Sequence, residues 1–158
     1  MYADIDASDI ELLNAVSNLN TTYRREFRDY IHYLLTKQYK KELMVAIFHN
    51  QLLHSLLQST MQLVEREDFQ ITQINNRLTQ MQELYFGIFE KIHIKYSELV
   101  DGLDSSEMVR DFGRNSFDNI NRACQSGNRM LIRLEIAEFY EGYYKFGKKK
   151  EARKIFAV

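Results

Sequence analysis

The chain has 158 residues, no proline, only six glycines, and 21 basic against 22 acidic residues for a formal charge of −1. That length supports one domain with a core needing no staples, while the scarcity of turn formers and the wealth of Leu, Ile, Glu, Gln, Arg and Lys exclude a turn-rich β fold and indicate an all-α one. A single cysteine, Cys124, excludes an internal disulfide, and the first residues lack the basic-then-apolar order of a signal peptide, so a reducing, cytoplasmic setting is expected.

Residues 1–7 are acidic and aperiodic, which predicts a loose end. Ser8 followed by Glu11 fits a capping box, and Ile10, Leu13 and Val16 give a short apolar stripe that should end near Ser17. After a turn at residues 18–22, capped by Thr21 or Thr22, a second helix carries Tyr23, Phe27, Tyr30, Ile31, Leu34 and Leu35 on one side and Arg24, Arg25 and Arg28 on the other. The apolar seam lapses over residues 36–42, but no glycine or proline breaks it there, so the helix is expected to continue.

From residue 43 to 64 the positions Val45, Phe48, Leu52, Leu53, Leu56, Leu57, Met61 and Val64 recur at three- and four-residue steps, with Asn50, His54, Gln58 and Gln62 opposite. The spacing predicts one core helix, and those amides and imidazoles argue against a membrane span. A longer seam, Ile71, Ile74, Leu78, Met81, Tyr85, Ile88, Ile92, Tyr96 and Leu99, is its natural antiparallel partner, ending at Asp101-Gly102. Asp104 or Ser105 should cap a helix carrying Met108, Val109, Phe112, Phe117, Ile120 and Ala123, with a left-handed stop at Gly127. A last helix is expected over 128–146, with Gly147 after it and a further helical segment to residue 158. The chain thus reads as a single all-helical domain: an N-terminal helical hairpin (1–38), a long antiparallel helix pair (39–102) and C-terminal helices (103–158) closing on a helical hairpin.

At residues 139–157, Tyr143-Tyr144, Gly147, Glu151-Ala152 and Phe156 stand at the spacing of one tetratricopeptide repeat, which this segment resembles. The resemblance implies a protein–protein interaction role, with Gly147 at a turn between two helices and Phe139, Tyr143, Ala152 and Phe156 as packing positions. It covers one repeat, whereas such arrays usually need about three to bury a core.

Chemistry is sparse. Glu90 and His93 stand one helical turn apart, as do Asp29 and His32, the spacing of paired metal ligands in carboxylate-bridged bundles. Such a bundle needs two more inward carboxylates, and residues 43–64 hold none, so Glu90 and His93 are the candidate ligands but no metal or other cofactor is expected. His49, beside Val45, Leu52 and Leu53, reads as a core histidine, and Cys124, beside Ala123, as a packed thiol. No nucleophile elbow and no glycine-rich phosphate loop occurs in the sequence, so an enzyme is not expected.

Charge is uneven. Residues 145–158 hold six cations against Glu151, a net of +5, which leaves −6 on the rest of the chain. Tyr140, Tyr143 and Tyr144 among Lys145, Lys148, Lys149, Lys150 and Arg153 suit a protein interface or a nucleic-acid strand, and form the candidate partner-binding site. Tyr23, Phe27, Ile31 and Leu34 demand burial that the two long seams do not offer, so they form a candidate dimer interface. The expectation is a non-enzymatic helical adaptor or regulatory subunit that forms a homodimer and binds another protein, with nucleic-acid binding through the basic tail as the alternative.

Overall fold

The computed structural model describes residues 5–103 and 107–156, the side chains of residue 107 and of residues 149–156 excepted. These residues form six helices: α1 (Ala7–Ser17), α2 (Thr21–Phe48), α3 (Gln51–Val64), α4 (Ile71–Ser97), α5 (Glu107–Ser126) and α6 (Arg129–Phe156). Among the described residues there is no strand, and no helix is long and apolar enough to cross a membrane.

Helices α3 to α6 each pack against the next, and α6 closes onto α3. Their contacts run antiparallel. Arg77 near the start of α4 bonds Ser59 late in α3, the Tyr85 hydroxyl reaches the Val109 carbonyl early in α5, and Phe117 of α5 packs on Phe139 of α6 at 5.1 Å between ring centroids. The result is an up-down-up-down four-helix bundle. The second half of α2 lies against the C-terminal parts of α4 and α6, through Tyr39 on Tyr96 and Phe48 on Tyr143.

The seam of α4 is buried much as its period requires, at Ile74, Leu78, Met81, Tyr85, Ile92 and Tyr96, with Phe89 added. Leu99 and Met108 are instead exposed: α4 stops at Ser97, and Leu99 lies in the turn that follows. Gly102 and Gly127 both adopt positive φ (68° and 71°), the latter ending α5 as its position predicts. The expected caps Asp104 and Ser105 lie outside the described residues.

Helix α2 runs unbroken through residues 36–42, as expected, but the run 43–64 is not one helix. It breaks at His49-Asn50. Asn50 takes an extended backbone (φ −75°, ψ 118°), and its side chain accepts the Leu53 amide hydrogen at 2.9 Å, so the residue read as part of a polar stripe is the N-cap of α3. The break re-phases the helix: α3 buries Leu53, Leu57, Thr60 and Val64, while Leu52, Val45 and His49 face solvent. The buried Thr60 hydroxyl donates to the Leu56 carbonyl at 2.7 Å, so no polar group is stranded there.

Caps differ at the N-terminal helices too. Asp6 and Asp9, not Ser8 and Glu11, make the capping box of α1, and Asn20, not Thr21 or Thr22, caps α2 by accepting the Tyr23 amide hydrogen at 3.0 Å. At the far end of the bundle, Arg133 caps α3 from α6: its Nε donates to the Val64 carbonyl at 2.6 Å, while its guanidinium and that of Arg129 lie over the Phe69 ring. The C-terminal hairpin forms between α5 and α6 at Gly127; α6 itself passes through Gly147 without a turn.

Candidate functional site

Around the C-terminal aromatics, the structure separates packing from surface. Tyr143 is 1% exposed, and its hydroxyl donates to the Ile47 carbonyl at 2.7 Å. Burial pushes its phenol well above the ordinary range, so it remains a neutral donor. Tyr143 is therefore a core residue: it seals the end of α2 against α6. Phe139 is buried likewise, and Phe146 is half-buried, stacked on Phe48 at 4.8 Å.

Tyr144 turns outward and is 42% exposed, while Tyr140 is half-buried against the core with its ring centroid 5.4 Å from that of Tyr144. The Lys148 ammonium lies 5.8 Å from the Tyr144 ring, and Lys145 stands 3.6 Å from Glu141 one turn back, both side chains well exposed. The side chains of Lys149, Lys150 and Arg153 lie outside the described residues.

A groove of about 480 Å³ opens where α2 gives way to α3 beneath α6. Phe48 and Tyr143 line it along with His49, Asn50, Gln51, His54, Ser55, Tyr144, Gly147 and Lys148, none of them a carboxylate. His54 is held there by the Tyr144 ring at 5.6 Å and the Tyr143 ring at 6.4 Å. Sequence reasoning did not anticipate the groove, because it follows from the break at Asn50. The signal available was an asparagine three residues before a leucine inside an apolar run, which is N-cap spacing.

The candidate metal ligands do not converge. Glu90 is exposed on the outer face of α4, whereas His93 turns inward, its Nδ1 3.3 Å from the Tyr39 hydroxyl and its ring stacked on Phe89. Asp29 is exposed and His32 half-buried. Among the described residues no three His, Cys, Asp or Glu side chains come together in a metal-holding group. Cys124 is buried, and desolvation pushes its thiol up, away from the thiolate a nucleophile needs.

A polar clamp marks the edge of the bundle. The Tyr96 hydroxyl donates to the Glu42 carboxylate and accepts from Gln38 Nε2 at 2.9 Å, while Lys95 Nζ sits 3.0 Å from Glu42. The Tyr96 hydrogen bond, and then Lys95, hold the Glu42 carboxyl below the usual glutamate range.

Beyond this clamp the character of the chain changes. Helix α1 contains no buried residue, and neither do residues 21–34 of α2. Of the candidate interface residues, Tyr23 and Leu34 are exposed, and Phe27 and Ile31 half-buried. Tyr30 and Tyr33, stacked at 6.4 Å, and Ile10, Leu12 and Leu13 of α1 are exposed as well. These five were not assigned to the interface from sequence, although Tyr30 shares the Tyr23 face. At about 1.5 Å per residue, residues 21–34 make an arm about 21 Å long.

No protein-family model, curated protein or solved structure matches this chain.

Proposed function

We propose that this chain is a non-enzymatic protein–protein interaction subunit, adaptor or regulatory in kind, and self-associating. The bundle is the rigid support, and the N-terminal arm is the element that engages. One observation carries this reading: α1 and the first half of α2 hold seven exposed large apolar side chains, among them Tyr23, Tyr30, Tyr33 and Leu34, and no buried residue. So much apolar surface on one segment is rarely left in water by a stable monomer, and aromatic residues are what interfaces enrich.

The groove at the α2–α3 break is a second, smaller surface, with Tyr144 and Lys148 at its rim. It fits recognition of a protein better than of a nucleic-acid strand, since Lys148 is the one Lys or Arg among its lining residues and Tyr143 belongs to the core.

A photo-crosslinking residue placed at Tyr30 in the full chain, in its native extract, tests the reading. It should trap polypeptide, while the same residue at Met130, which is 73% exposed on the bundle, should trap far less. Equal or absent trapping at Tyr30 removes the arm as the binding element.

A further inference from the structure

Helix α1 is 11 residues long and has no buried residue. Isolated helices below about 12–15 residues are marginal in water even for favourable sequences. Its capping box, and the bond from the Arg24 guanidinium to the Ser17 carbonyl, tie down its ends but give it no packed face. The first turns of α2 share this condition. Helices so placed need a surface from outside their own bundle.

Spacing and charge specify that surface. Tyr23, Phe27, Tyr30 and Leu34 follow steps of four, three and four, the seam of a two-helix coil. Arg24 lies at the edge of that seam beyond Ile31, and Arg28 follows one turn on, towards the outer side of the helix. Residues 5–17 carry Asp6, Asp9 and Glu11 and no basic residue at all. The arm therefore holds, side by side, an apolar seam, a basic flank and an acidic helix, which is a self-complementary set. Its seven exposed large apolar side chains offer roughly 100 Å² apiece. Together that is close to the ~800 Å² per partner of a specific interface.

We infer that the arm pairs with the arm of a second copy of this chain, the Tyr23–Leu34 seams meeting antiparallel about a two-fold axis and the acidic α1 of each copy lying over Arg24 and Arg28 of the other. This rests on the interaction reading above and names its partner. Antiparallel pairing sets Tyr23 against the second copy's Leu34, and Phe27 against its Tyr30. It also carries the two bundles, each attached from Leu35 onward, to opposite ends of the joined arms, where they do not collide. Helix α1 then completes its folding as the copies associate.

The full chain should sediment at twice 18.9 kDa near about 100 μM. Tyr30→Lys with Leu34→Lys should weaken association about 100-fold or more while leaving the urea midpoint of the bundle in place. Amide hydrogens of residues 7–17 should be protected from exchange in the concentrated sample and lose that protection on dilution. In a Cys124→Ala background, Tyr23→Cys with Leu34→Cys should oxidise to a covalent dimer, whereas neither cysteine alone should, being about 16 Å from its own copy across the axis. A monomer at all concentrations, or cross-linking by a single cysteine, overturns the inference. A monomer whose Tyr30 photoadduct contains a different polypeptide overturns it, together with self-association, and leaves the protein-binding role of the arm standing; no photoadduct of any kind sinks both.

Discussion

The Tyr143 hydroxyl donates to the carbonyl oxygen of Ile47 at 2.7 Å, across 96 residues of chain. It fixes α6 to the last turn of α2, where the Ile47 carbonyl otherwise takes a long bond from the Asn50 amide at 3.4 Å. Tyr143→Phe should cost about 1 kcal/mol, the net worth of one hydrogen bond, and Tyr143→Ala about 3–5 kcal/mol, since a large buried ring is lost. Urea denaturation measures both. A Tyr143→Ala chain of unchanged stability that loses a partner would return Tyr143 to the surface.

Adjacent leucines in α3 should behave oppositely. Leu53 is fully buried and Leu52 is 59% exposed. Leu53→Ala should therefore cost about 2–5 kcal/mol, and Leu52→Ala at most about 0.5 kcal/mol. Equal losses in thermal or urea unfolding would mean that the break at Asn50 does not re-phase the helix.

Gly113 faces the ring of Tyr85 so closely that an added Cβ would collide with it. Tyr85 cannot easily retreat, because it is fully buried and bonded to the Val109 carbonyl. Gly113→Ala should thus destabilise by about 1–3 kcal/mol through overpacking, although alanine is about 1 kcal/mol the better helix former. A rise in melting temperature would contradict the close approach of α4 and α5.

Acid should loosen the clamp at Glu42. Its carboxyl is held low by Tyr96 and Lys95, so the folded state binds this proton less readily than the unfolded one. The stabilisation is present above the ordinary carboxylate range, around pH 4, and is lost as pH falls through the depressed value. The group is partly exposed, which keeps the effect small. The wild-type advantage over Glu42→Gln in urea midpoint should shrink on acidification, and an advantage that grows would reverse the sign of the coupling.

Some elements were readable without coordinates because nothing competes with them. The α4 seam repeats for nearly four heptads, and Gly127 sits where a left-handed stop is needed. The break at Asn50 was hidden because apolar steps of three and four run straight through it, and periodicity carries no record of a two-residue change of phase. Gly147 misled for the opposite reason: it resembles a turn, yet it is a helical residue, and a Cβ there would sit 3.5 Å from the Phe48 carbonyl. As for the sites, Tyr23, Phe27, Ile31 and Leu34 signalled a demand for burial that their own bundle leaves unmet. Tyr143 stands among the partner-binding candidates as well as the packing positions because aromatics beside lysines look alike whether the ring points in or out. The groove depends on a meeting of α6 with the α2–α3 junction that no local pattern encodes.

The burial of tyrosine hydroxyls also makes this chain its own indicator dye. It has ten tyrosines and no tryptophan, so its near-ultraviolet spectrum is chiefly a tyrosine spectrum. The phenols of Tyr85 and Tyr143 are pushed up by burial. In an alkaline titration this buried pair should turn to phenolate only when the bundle opens, because the folded state holds those protons more tightly and so loses ground to the unfolded state as pH climbs above about 10. Their phenolate absorbance thus reports the opening of the core, with no label attached.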